Sequence, residues 1–174
     1  MMNAPTGAST SIVDRSVALA SIVVITMAAS VVMFGIVGTM VTATRSAEGL
    51  AMPASVGLVA AAFALLVGSV LYRRTSYQPA RLIRVFTKSG EAGLAQQLVR
   101  ATIISGSLSE GVGIIGLVLG ILTGDTYYLY ALCAVGLLGV LSNFPRASKW
   151  RELSADITKW AQAGSAGGTP EHGD

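Results

Sequence analysis

The sequence predicts an all-α integral membrane protein with four transmembrane helices, both termini cytoplasmic, and short amphipathic interfacial helices in the second loop and C-terminal tail. Three observations predict it. Only 12% of the 174 residues are charged, against roughly 25% in a soluble domain. The charges are excluded from four long apolar segments and gathered between them. Lys and Arg crowd alternate connections, as they do on the cytoplasmic side of a membrane.

Residues 1–14, rich in Ala, Ser, Thr and Gly, are expected to be flexible because they bury too little apolar surface to order themselves. The transmembrane domain is expected over 15–145. Its first crossing, about 16–42, lies between Arg15 and Arg45 without a charge and exceeds the roughly 20 residues that span about 30 Å of hydrocarbon. That length also exceeds the apolar core of a signal peptide, roughly 7–15 residues. The second crossing, about 54–72, has Pro53 at its first turn, where a missing N–H costs little, and stops at Arg73 and Arg74.

The loop that follows carries Arg81, Arg84 and Lys88 at helical spacing, with Leu82, Val85 and Phe86 on the opposite side. This pattern predicts a helix lying on the membrane surface. The third crossing is expected over about 99–122 and ends at Thr123-Gly124-Asp125. The fourth, about 126–142, is short for a full span and ends at Asn143-Phe144-Pro145. An amphipathic juxtamembrane helix is predicted over 146–163, with Trp150, Leu153, Ile157 and Trp160 along one stripe. Trp150 and Trp160 are the expected headgroup-level anchors. The Gly-rich stretch 164–174 is expected to be disordered.

Orientation follows from the second loop (Arg73, Arg74, Arg81, Arg84, Lys88) and the start of the tail (Arg146, Lys149, Arg151), against Arg45 alone in the first loop and no cation in the third. Both termini should face the cytoplasm of a multi-pass protein in a cell membrane, a bacterial plasma membrane by expectation. The net charge of +3 then reports topology, and no nucleic-acid module is recognisable. Cys133 is the sole cysteine and His172 the sole histidine, so neither a disulfide nor the usual zinc site is expected, and no cofactor. No nucleophile and base pair or phosphate-binding loop points to an enzyme. No internal repeat relates the first pair of crossings to the second.

The chemically conspicuous residue is Glu110, about halfway along the third crossing. A carboxylate at the bilayer centre costs roughly 2.5–3.5 kcal/mol on the insertion scale, so it is seldom present without a use. Hydrocarbon favours the uncharged form of such a group, which makes it a candidate proton carrier. Gly106, Glu110, Gly113, Leu117 and Gly120 follow at steps of three or four, giving the acid a nearly bare helix face. Ser107 and Ser109 flank it as candidate hydrogen-bond partners and complete the expected ion-binding set. Crossing two offers Gly57, Ala61, Ala64 and Gly68 at matching steps, and small residues let helix backbones approach closely. The expectation is a tight hairpin of crossings two and three with the acid at or near their contact.

The run Ser107-Leu108-Ser109-Glu110-Gly111-Val112-Gly113-Ile114-Ile115-Gly116-Leu117-Val118 resembles the carboxylate-bearing helix of the proteolipid subunit c of rotary F-type and V-type ATP synthases and ATPases. In that family a small residue precedes the acid and an aliphatic Gly-Leu-Val run follows. A polar, Pro-containing loop joins the two helices of the hairpin, here Tyr77-Gln78-Pro79-Ala80-Arg81. The resemblance is confined to the hairpin of crossings two and three. It implies that Glu110 carries a proton across the membrane, within a homo-oligomer or larger membrane complex. Two other functions suit the same residues. One is a structural or accessory subunit in which Glu110 makes an interhelical hydrogen bond; the other is a small proton-coupled transporter.

Overall fold

A computed structural model describes residues 6–44 and 52–166. Among these residues all regular structure is helical: α1 (Thr6–Ala43), α2 (Met52–Ser76), α3 (Pro79–Thr123), α4 (Thr126–Ser142) and α5 (Ala147–Ala166). By length and composition, α1, α2 and α3 can each cross a membrane. A fourth span results only if α4 and α5, bent by 47° at their junction, are counted together.

Several helix bounds depart from the sequence expectations. Helix α1 begins at Thr6, so residues 6–14 continue the apolar helix where a flexible segment was predicted. Its 38 residues make a rod of roughly 57 Å, longer than a hydrocarbon slab. Helix α5 reaches Ala166, three residues past the predicted end, while 167–174, with His172, lie outside the described residues, as does Arg45.

The surface helix of the second loop and the third crossing form one element. Pro79 opens α3 after Gln78, which is held in an extended conformation (φ −64°, ψ 129°), as the residue before a proline prefers. Gly90, at φ 63° and ψ −160°, divides α3 into residues 79–89 and 91–123. Such a φ costs glycine little and other residues much. The predicted start at 99 is thus about two turns too late, because residues 91–98 are helical though polar: their Leu94, Ala95 and Leu98 are buried.

A two-residue turn sets α4 beside α3. Gly124 adopts the left-handed conformation (φ 69°) and returns its N–H to the Gly120 carbonyl; the Asp125 carboxylate then accepts from the Tyr127 N–H at 2.8 Å, capping α4. Helix α3 lies at the centre, with α1, α2, α4 and α5 packed on it, and among the described residues the backbones of α1 and α2 stand apart. The contacts Gly106 with Met27 and Gly113 with Val31 show α1 running parallel to α3, whereas α2 and α4 run antiparallel.

Two clusters of buried side chains result. One joins Val13 and Ala20 of α1, Leu82, Leu94 and Leu98 of α3, and Trp150 and Ile157 of α5. The other lies among the charge-free stretches and contains Val24, Val31, Leu129, Cys133 and Val140. The first corrects an expectation: Trp150 is 4% exposed and sits in a protein core, because α5 turns its apolar stripe onto α3 and α1. Trp160, at the far end of that stripe, is 49% exposed. Arg81, Arg84 and Lys88 are exposed while Leu82 beside them is fully buried.

Candidate functional site: an unpartnered acid beside a polar seam

Helix α3 presents three flanks at the level of Glu110. Toward α1 it offers Gly106, where an added Cβ would sit 2.8 Å from Met27 Sδ, and Gly113, where one would sit 3.1 Å from Val31 Cγ1. Glu110 stands four residues after the first and three before the second, on that same ridge. The acid therefore shares a ridge of α3 with the two glycines that meet α1. The α2–α3 contact passes beside it, at Gly111, and is not made by the expected face of α2.

The face of α2 that meets α3 carries Ala62 and Ser69, both buried, with Leu65 reaching Gly111. The small residues Gly57, Ala61, Ala64 and Gly68 lie elsewhere around the helix. Gly57 and Gly68 have nothing within 4 Å of an added Cβ, and Ala61 and Ala64 are exposed. The predicted packing face is thus open within the chain. Gly120 does pack tightly, but against Leu129 of α4, whose Cβ would lie 2.9 Å from a methyl group added there.

The two predicted serine partners also part company. Ser107 is exposed. Ser109 is 1% exposed and turned toward α2 and α4, with its hydroxyl 3.1 Å from that of Ser69 and 3.1 Å from the Ser105 carbonyl. Glu110 is half-buried, and among the described residues its carboxyl takes part in no hydrogen bond or ion pair.

Ser109 instead belongs to a buried polar seam that composition did not reveal. The Ser69 hydroxyl donates to the Ser105 carbonyl at 2.9 Å. The Ser105 hydroxyl donates to Asn143 Oδ1 at 2.7 Å, and the Asn143 amide donates to the Gly139 carbonyl at 2.7 Å. Three helices are stitched at one point. Serines four apart in an apolar helix, as at 105 and 109, were the available sequence signal: each can turn its hydroxyl back to a carbonyl or across to a neighbour.

The register fixes the depth of the acid. Ser69 lies opposite Ser105 and Ser109, and Leu65 opposite Gly111, so Glu110 is level with the α2 turn between them. That level is roughly 6 Å, about one turn, from the midpoint of α2's charge-free stretch, displaced toward Arg73. One turn beyond Ser69 the Arg73 guanidinium donates to the Ser142 carbonyl at 2.7 Å, closing the basic end of the apolar zone. Glu110 thus lies inside the charge-free zone, nearer its basic rim than a count along α3 alone implies.

Compared with known proteins, the chain matches no family model, no curated sequence and no solved structure.

Proposed function

We propose that this chain is a proton-translocating subunit of a membrane complex, with Glu110 as the reversible proton carrier. One observation carries the reading: a carboxyl inside the charge-free zone, half-open and without a partner among the described residues. An acid kept only to bond a neighbouring helix of the same chain would be satisfied, because a buried polar group left unpaired costs about 1–3 kcal/mol. An unsatisfied one, at the edge of an open flank, is suited to exchanging a proton with water or a partner chain brought to that flank.

In this reading α4 is the fourth crossing and α5 turns away from it at the cytoplasmic surface, so that both termini are cytoplasmic, in a bacterial plasma membrane. The likeness of residues 107–118 to the subunit c helix supports the same role for Glu110. It also implies assembly with further copies or other subunits. The test is passive proton flux into proteoliposomes under an imposed potassium potential. Wild-type protein should conduct and Glu110→Gln should not; equal flux from both would overturn the proposal.

A specific observation favours a second reading, that of an accessory subunit. The open face of Gly57, Ala61, Ala64 and Gly68 suits close contact with a helix of another chain, and Glu110 would then bond that partner. Purification in mild detergent separates the two. A stoichiometric partner, together with flux indifferent to Glu110→Gln, selects the accessory role.

A further inference from the structure

A cavity of about 760 Å³ opens between the end of α2, the α4–α5 corner and α5, where the described backbones of α2 and α5 stand apart. Six charged side chains line it: Arg73 and Arg74 from α2, Arg146 at the corner, and Lys149, Glu152 and Asp156 along one ridge of α5. Four positive charges face two negative ones, yet no ion pair forms among them. Arg73 is held by the Ser142 carbonyl. The side chains of Arg74, Arg146 and Lys149 take no hydrogen bond among the described residues.

The arrangement is graded. The cations gather where α2 ends and the chain turns from α4 into α5, while Glu152 and Asp156 follow one and two turns further along α5. An anion is therefore drawn to the corner. Val70, Phe144 and Trp150 supply apolar wall at the same mouth, and Val70 is 55% exposed. The level is also informative, because Arg73 ends the charge-free stretch of α2 and Arg146 the one that contains α4. A cavity at that level in a membrane-spanning bundle meets phosphate groups with acyl chains beneath them.

We infer that this cavity is a binding site for a phospholipid headgroup, its phosphate held by Arg74, Arg146 and Lys149 beside the fixed Arg73, its glycerol end against Val70 and Phe144. Guanidinium groups suit this work, since they meet phosphate oxygens two at a time. The site is independent of the role of Glu110.

Native mass spectrometry of the full chain, delipidated in detergent and titrated with phosphatidylglycerol or with inorganic phosphate, tests it. Wild-type protein should retain one lipid preferentially and show no comparable uptake of inorganic phosphate. The combined variant Arg74→Gln, Arg146→Gln, Lys149→Gln should bind that lipid at least about tenfold more weakly, since each cation near a lipid surface adds appreciably to the attraction. Arg81→Gln, Arg84→Gln, Lys88→Gln removes the same charge outside the cavity and should leave retention unchanged. Equal binding by wild type and the cavity variant would overturn the site. Equal loss in both variants would reduce it to general surface charge and overturn it too. Inorganic phosphate bound as tightly as the lipid would overturn the assignment to a lipid.

Discussion

Two helix-packing regions of this chain are built on different rules. Where α1, α3 and α5 meet beyond the charge-free zone, the core is made of bulk: Leu82, Leu94, Leu98, Trp150 and Ile157. Where α3 meets α4 and α2 within that zone, Leu129, Cys133 and Val140 are buried as well, but glycines set the closest approach. Added methyl groups at Gly136 and Gly139 would sit 2.9 Å from the Gly113 amide nitrogen and 2.8 Å from the Ser109 hydroxyl, and the bonds of Ser69, Ser105 and Asn143 supply the specificity. The difference follows from the solvent. Water drives large apolar side chains together, whereas lipid offers apolar surface no such preference, so helices there associate by backbone proximity and hydrogen bonds.

This contrast predicts how substitutions should rank. The largest loss should come from Trp150→Ala, about 3–5 kcal/mol for emptying a core site of that size. Chemical unfolding in detergent should measure it, and rapid proteolysis within α5 should accompany it. A small effect would place Trp150 in lipid and dissolve the distinction between the two regions. Next, Gly136→Ala should cost about 1–3 kcal/mol as an overpacked contact, because the atoms its Cβ meets are backbone atoms of α3 and cannot rotate away.

A smaller loss, about 0.2–1 kcal/mol and reduced further by salt, is expected for Arg151→Ala. Its pair with Asp14, at 2.7 Å, joins α5 to α1 while both side chains remain roughly half exposed. Smallest of all, Gly68→Ala should be neutral or stabilising by up to about 1 kcal/mol in the detergent-solubilised monomer, through helix propensity alone. A cost at Gly68 matching that at Gly136 would mean that the open face of α2 is already covered by a second chain.

Much of the helical layout was legible in the sequence. The bounds of α4 coincide with the predicted 126–142 because Gly124, Asp125 and Asn143 mark its ends chemically. Facing was not legible. On α2 a stripe of Gly and Ala reads the same whether it packs or lies open, and the packed face is marked only by Ala62 and Ser69, which composition does not distinguish. The tail misled for a related reason: a Trp-bearing amphipathic helix suits a membrane surface and a protein surface equally. The extension of α3 back to Glu91 depended on Leu94 and Leu98 finding Ile157 and Trp150, partners more than fifty residues away in sequence. Glu110 was legible as an isolated acid, but the neighbour of its ridge was not, since the ridge bearing Gly106 and Gly113 fits α1 or α2 by spacing alone.

Every role proposed for Glu110 rests on its depth. Cysteine placed at 110 in a Cys133→Ser background, in sealed vesicles, can be challenged with a charged maleimide that reacts only from water. Cysteine at 88, on the exposed side of α3, serves as the reference. A carboxyl position within the charge-free zone predicts rapid modification at 88 and essentially none at 110 from either side of the membrane. Modification at 110 as fast as at 88 would put the position in bulk water and contradict it.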